Sequence, residues 1–297
     1  MSITDDIRHH WRTGGMLRRL LMVNIGVFLL YWALELAGWL FNMRGLGLLL
    51  LDQLMATSDP SLLVRKPWSP VTYMFTHQAP MHLFWNMVMF WFSAQFFEDL
   101  LGGKRLLGNY LLGGLAGYLF YALGSLAPAH LALASHGPIL GASAAVMSVL
   151  IGIAAYRPDL LVHLFLIGPV RLKYVALAVL VLDLIAIRSG SNTGGHLAHL
   201  GGAAYGFLAA RQLARGNDWS GRFVDALGRL GGLFRRRKGP RMRVAKGPGH
   251  STRPGQDMSP AQKQARVDAI LDKISRSGYD SLTKAERDFL FRSGNEK

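Results

Sequence analysis

Cysteine is absent from the 297 residues, which excludes disulfide scaffolds, thiolate zinc sites and a cysteine nucleophile. Any covalent chemistry in this chain uses another nucleophile. Charge is scarce as well: Lys, Arg, Asp and Glu make up 17% of the residues against 51% hydrophobic ones, and the mean hydropathy is +0.22. That balance is not the one a water-soluble enzyme of this length carries. The scarcity is greatest from 106 to 156, where 51 residues pass without one Lys, Arg, Asp or Glu, roughly twice the ~20 that one helix needs to cross ~30 Å of hydrocarbon. Two spanning helices are predicted there, near 106–126 and 138–156. The turn between them runs through Ala127-Pro128-Ala129-His130 and Ser135-His136-Gly137-Pro138, with Pro138 suited to the first turn of the second helix.

Apolar stretches near 19–40, 80–98, 171–188 and 194–212 complete a set of six predicted transmembrane helices in an all-α integral membrane fold. The first is too long for a signal-peptide core and lacks a small-residue cleavage site, so it reads as a retained anchor. Arg8, Arg12, Arg18, Arg19, Lys104, Arg105, Arg157, Arg171, Lys173, Arg211 and Arg215 flank one side of this arrangement, and Arg44, Arg65, Lys66 and Arg188 the other. The excess of base puts both termini in the cytoplasm. A long loop from Phe41 to Ala79, rich in Leu and Met and holding Trp68, is expected to rest partly in the outer membrane interface.

Four regions follow: a cytoplasmic segment 1–18, a membrane domain 19–212, a basic Gly/Pro linker 213–258 containing Arg235-Arg236-Arg237-Lys238, and a helical hairpin 259–297. In the last, Val267, Ile270, Leu271 and Ile274 recur at helical spacing, and Thr283-x-x-Glu286 forms a capping-box pattern before the second helix. So small a hairpin buries little apolar surface alone and is expected to dock on the membrane domain or on a cytoplasmic partner. The basic tail suits anionic lipid headgroups, and no nucleic-acid recognition fold accompanies it.

Polar side chains inside membrane helices are costly and mark functional sites. Here they gather at the starts of the three even-numbered helices: His77, His82 and Asn86; Gly141 and Ser143; His196 and His199. Asn86, Ser143 and His199 lie five or six residues into their helices, a shared depth of ~8–9 Å at 1.5 Å per residue. Small residues, Gly141 and Ala145 on the fourth helix with Gly202 and Gly206 on the sixth, permit close approach. A hydroxyl, an imidazole and an amide donor in one pocket supply a nucleophile, a general base and an oxyanion stabiliser. Ser148 reads as a packing serine. Asp183, near the depth of His199, is expected to make a structural hydrogen bond rather than serve as a third catalytic member.

These motifs resemble the rhomboid intramembrane serine proteases. The likeness rests on His77-x-x-x-x-His82-x-x-x-Asn86, on Gly141-x-Ser143, and on Ala198-His199-x-x-Gly202-x-x-x-Gly206, in the family's order and on its helices, and covers residues 15–212. It implies a six-helix bundle whose Ser143-His199 dyad opens extracytoplasmically, with Asn86, His82 and the Ser143 backbone N–H at the oxyanion, His77, Gly141, Gly202 and Gly206 in support, and Glu98 structural. Ala144, Met147 and the Trp68-Ser69 pair depart from the common pattern. The tail looks like extensions of some bacterial members. The expected function is a serine endopeptidase of the inner cell membrane, cutting transmembrane proteins near the extracytoplasmic surface with neither metal nor cofactor. The competing expectations are an inert adaptor or chaperone of the same fold and a transporter; the chain keeps both dyad residues and shows no internal repeat.

Overall fold

A computed structural model describes residues 2–126, 137–164, 167–187, 192–234 and 259–294. The segments Ala127-Pro128-Ala129-His130 and Ser135-His136, Arg188, and the basic run Arg235-Arg236-Arg237-Lys238 lie outside the described residues. Two compact units are present, Met1–Arg236 and Arg237–Lys297. The first contains α1 (Ile3–Thr13), α2 (Met16–Leu40), α3 (Leu46–Leu54), α4 (Pro60–Arg65), α5 (Ser69–Thr72), α6 (Pro80–Leu101), α7 (Gly103–Ser125), α8 (Ser143–Tyr156), an antiparallel hairpin β1 (Leu161–Leu164) and β2 (Gly168–Arg171), α9 (Leu172–Ile187), α10 (Thr193–Ala214) and α11 (Trp219–Phe234).

The helices end where the sequence gives physical reasons. Pro80 starts α6, where its missing N–H has no intrahelical role, and Gly102, at φ +85°, turns the chain directly from α6 into α7. Glu98, at the end of α6, accepts hydrogen bonds from Met16 N (2.5 Å) and Leu17 N (3.0 Å), satisfying two orphan amides of α2 with a negative charge at that helix's positive end. By length and apolar composition α2 and α7 qualify as membrane spans among the described residues, and α8 is apolar but shorter. Large apolar side chains are exposed on α2, α6, α7 and α9: Leu29, Trp39, Trp91, Leu123, Leu177 and Ile185. A soluble protein does not show so much apolar surface without covering it.

Helices α7, α8 and α10 form the tight centre. A Cβ at Gly202 would collide with the Ala144 carbonyl and one at Gly206 with that of Ser148, while at Gly117 it would lie 2.7 Å from Ala198 O. Small residues thus let backbones touch, because in lipid the gain comes from close packing. Two buried polar pairs lie inside: Asn109 Nδ2 donates to Ser148 Oγ (2.8 Å), and Tyr110 OH donates to Met74 O (2.8 Å). Ser148 is therefore held in structural hydrogen bonds.

Two expected boundaries are corrected. The fourth helix does not begin at Pro138: residues up to Ala142 stay out of it, because Gly141 has φ +121° and Ile139 pairs with Ala56 in an isolated bridge (N···O 2.8 and 3.0 Å). The expected linker from 213 onward contains α11. That helix is tied to α7 by Arg105 Nε to Asp218 Oδ2 (2.8 Å), Lys104 Nζ to Asp225 Oδ2 (2.7 Å) and a close approach of Gly108 to the Ser220 backbone. Gly-rich, basic composition hid an amphipathic stripe of Phe223, Leu227 and Leu230 at helical spacing.

The second unit contains α12 (Pro260–Ser277) and α13 (Lys284–Gly294). Ser259 and Gln262 form a reciprocal capping box at the first, and Thr283 with Glu286 cap the second. Lys273 Nζ reaches Glu286 at 3.0 Å, Arg266 lies 4.8 Å from the Phe289 ring centroid, and Ile270 and Leu282 are buried.

Candidate active site

Ser143 is the first residue of α8 and follows the left-handed Gly141. Only glycine tolerates this position: the φ is unfavourable for other residues, and a Cβ would sit 2.6 Å from the His82 ring. Gly141 N donates to Tyr73 O (3.0 Å) and Ala142 N to His77 Nε2 (3.3 Å). The segment before α8 is thus pinned to the long loop, and the first amides of the helix, from Ser143 onward, have no partner within it. Tyr73 is anchored in turn, its OH donating to Gly114 O at 2.7 Å.

From α10, His199 Nε2 lies 2.6 Å from Ser143 Oγ. The other nitrogen, Nδ1, lies 2.6 Å from Asp183 Oδ1 on α9. The same carboxylate oxygen meets His196 Nδ1 at 2.7 Å, and the two imidazoles cross edge to face. A carboxylate only accepts hydrogen bonds, so Nδ1 of His199 carries the proton and its Nε2 presents a lone pair to the serine hydroxyl. This arrangement can draw a proton from an alcohol and return it to a leaving group. Asp183, expected to make a structural hydrogen bond, makes it to the imidazole of His199 itself. His196 is the member of this cluster that the motif pattern leaves without a role; the available signal is its three-residue spacing from His199, which puts both rings on one helix face.

Asn86 and Ser143 line one cavity of about 380 Å³ with Asp183, His196 and His199, among apolar walls that include Met147. Asn86 Nδ2 donates to His82 O (2.8 Å), leaving one amide hydrogen for the cavity. His82 lies over Gly141 with its ring 5.2 Å from that of His77. Gly202 and Gly206 act one step removed, bringing α10 against α8 so that imidazole and hydroxyl meet. Among the described residues, Asp183, His196 and His199 have ligand atoms close enough to share a cation, all within 4.8 Å of one another.

A bundle of apolar helices here brings a serine hydroxyl to an imidazole at one cavity. The Rhomboid domain model matches residues 64–216, just over half of the chain, and the chain belongs to the rhomboid family. Residues 258–292 match a family of unknown function, DUF6576. Among curated proteins, the chain is 29% identical over 134 residues to presenilin-associated rhomboid-like protein A, mitochondrial, of Danio rerio, covering 44% of this chain and 34% of that protein. It is 30% identical over 134 residues to the Homo sapiens presenilin-associated rhomboid-like protein, mitochondrial, with the same coverage. It is 28% identical over 155 residues to RHOMBOID-like protein 12, mitochondrial, of Arabidopsis thaliana, covering 49% and 46%. The chain thus spans between a third and a half of the length of these relatives.

Proposed function

We propose that this chain is an intramembrane serine endopeptidase that cleaves transmembrane proteins near the extracytoplasmic face of the inner cell membrane. In this reading α2, α6, α7, α8, α9 and α10 are six spans and both termini are cytoplasmic. The observation that carries the reading is the 2.6 Å contact of Ser143 Oγ with His199 Nε2 inside an apolar cavity.

Ser143 attacks the scissile carbonyl as His199 takes its proton; the imidazolium then protonates the leaving amine, and water releases the acyl group by the reverse sequence. Asp183 holds His199 in the tautomer that leaves Nε2 unprotonated and balances the charge the ring gains. The tetrahedral oxyanion is met by the Ser143 backbone N–H at the positive end of α8 and by the remaining amide hydrogen of Asn86. His82 acts from behind Gly141, keeping the loop that carries Ser143 in shape, as His77 does through Ala142 N. A substrate helix unwinds locally to offer its peptide bond, since its backbone groups are otherwise paired internally.

Purified full-length protein in detergent, given an activity-based fluorophosphonate and a model transmembrane substrate, tests this. Labelling and cleavage are expected, and both vanish in Ser143→Ala and His199→Ala at unchanged melting temperature. Ser148→Ala keeps turnover per folded molecule while losing about 1–3 kcal/mol of stability, because Asn109 is left unpaired in the core. Cleavage retained by Ser143→Ala sinks the nucleophile assignment, and a correctly folded parent that neither labels nor cleaves favours an inert adaptor.

A further inference from the structure

We infer that Asp183, His196 and His199 form an inhibitory zinc-binding site that switches the catalytic imidazole off. This rests on the peptidase reading for its consequence and on the geometry alone for the binding. Two imidazole nitrogens and a carboxylate are a recurrent donor set for three-coordinate protein binding of zinc, with a fourth position left to water. Here they come from two helices: His196 and His199 one turn apart on α10, and Asp183 facing both from α9. The ligand atoms lie within 4.8 Å of one another and the three side chains line the cavity that holds Ser143.

Two features point to a cation. Both Nδ1 atoms converge on one carboxylate oxygen, Asp183 Oδ1, at 2.6 and 2.7 Å. The other oxygen, Oδ2, is buried with no hydrogen-bond partner, on a side chain that is 9% exposed. One catalytic imidazole needs one carboxylate; a second imidazole on the same oxygen makes no hydrogen bond to Ser143 and adds nothing to the proton transfer drawn from it. Zinc–nitrogen bonds of about 2.0–2.1 Å in tetrahedral array set ligand atoms about 3.3 Å apart, so the two oxygen–nitrogen distances of 2.6 and 2.7 Å open by about 0.6–0.7 Å around the ion.

The chemical consequence is specific. A neutral imidazole has one proton and one lone pair on its nitrogens. When zinc takes the lone pair at Nδ1 of His199, the proton resides on Nε2, which then donates to Ser143 Oγ and cannot accept its proton. The ion therefore inhibits by imposing the wrong tautomer, and it does so without blocking the cavity that receives substrate.

The test has two arms, both on the full-length protein in detergent. The binding arm uses the Ser143→Ala protein, cobalt(II) as a visible-absorption probe, and zinc in competition. One ion per chain with the intense d–d bands of a tetrahedral site is expected, and further substitution of His196→Ala or Asp183→Asn weakens zinc binding by roughly 10–100-fold, while His9→Ala with His10→Ala on α1 leaves it unchanged. The kinetic arm compares cleavage rates with and without zinc. The rate of the parent falls about tenfold at a free zinc concentration ten times the dissociation constant and returns with a chelator. In His196→Ala the rate without zinc exceeds the rate with it by a factor of only about one to two at the same free zinc, whatever the rate without zinc. Binding that neither substitution weakens, or full occupancy with an unchanged rate, overturns the inference. A parent that never cleaves overturns the peptidase reading instead, and the cobalt spectrum still decides the site.

Discussion

Asp183 on α9 and His199 on α10 are joined through Oδ1 and Nδ1 at 2.6 Å, so a carboxylate lies directly behind the imidazole that touches Ser143. The three side chains form a continuous Ser143–His199–Asp183 chain of hydrogen bonds. Its likeness to a serine-protease triad is one of geometry, on an unrelated fold.

If Asp183 positions the ring, Asp183→Asn is expected to lower kcat on the order of 10⁴-fold with little change in KM, because the amide donates to Nδ1 and forces the proton onto Nε2. Asp183→Ala, which imposes no tautomer, is expected to lose less. The order of the two variants, read at equal melting temperature by steady-state kinetics, is what a packing role does not produce. Equal losses in both, tracking stability, would sink the positioning role.

Asn86 has one amide hydrogen committed to His82 O and one free to meet an oxyanion. Charge develops on the substrate oxygen only on the way to the tetrahedral state, so the donor acts on turnover rather than on substrate binding. Asn86→Ala should reduce kcat by ~10²–10³ at nearly constant KM, and His82→Ala should lower the melting temperature more than kcat per folded molecule. An Asn86→Ala protein with full kcat places the oxyanion donors elsewhere.

Helix α11 sets a limit on truncation. Asp218 accepts from Arg105 Nε at 2.8 Å and from Gly221 N at 2.7 Å; burial raises its carboxyl, and these donors outweigh burial, holding it below the usual carboxylate range. A chain ending after Phe234 is therefore expected to keep the melting temperature and peptidase activity of the full protein in detergent. One ending after Asn217 loses the α7 contacts and melts several degrees lower. Identical melting of both would mean that α11 adds nothing to the membrane unit.

The C-terminal hairpin carries its own acid sensitivity. The Thr283 backbone N–H, followed by Lys273 and the Thr283 hydroxyl, pulls the Glu286 carboxyl down from 4.5 to about 2. A depressed folded value means the capping interaction is fully present above pH 4.5 and is lost as pH falls through the folded value. Hydrogen exchange on the full-length protein should show α13 amides losing protection between these two values, and Glu286→Gln should abolish that pH dependence. Protection that does not vary with pH in the parent would exclude Glu286 as the cause.

What the sequence determined by itself follows from local rules. The 51 residues without charge at 106–156 and the apolar runs beside them dictate helices, because backbone polar groups away from water must pair within their own segment. Spacing dictates which residues share a face, and small residues at Gly202 and Gly206 dictate that backbones approach. The Ser143–His199 pairing was legible because each residue stands five residues into its expected helix, and the two side chains do meet at 2.6 Å. Composition, in contrast, misread α11, since its contacts with α7 through Asp218 and Ser220 are not periodic in the chain. The start of α8 at Ser143 was equally hidden, for it is fixed by Gly141 N on Tyr73 O and Ala142 N on His77, partners some 65 residues away. Only the packing of α9 against α10 decided that one oxygen of Asp183 would meet both His196 and His199. Depth along a membrane normal can be counted from a sequence, but rotation of one helix about its axis relative to another is set by the side chains between them.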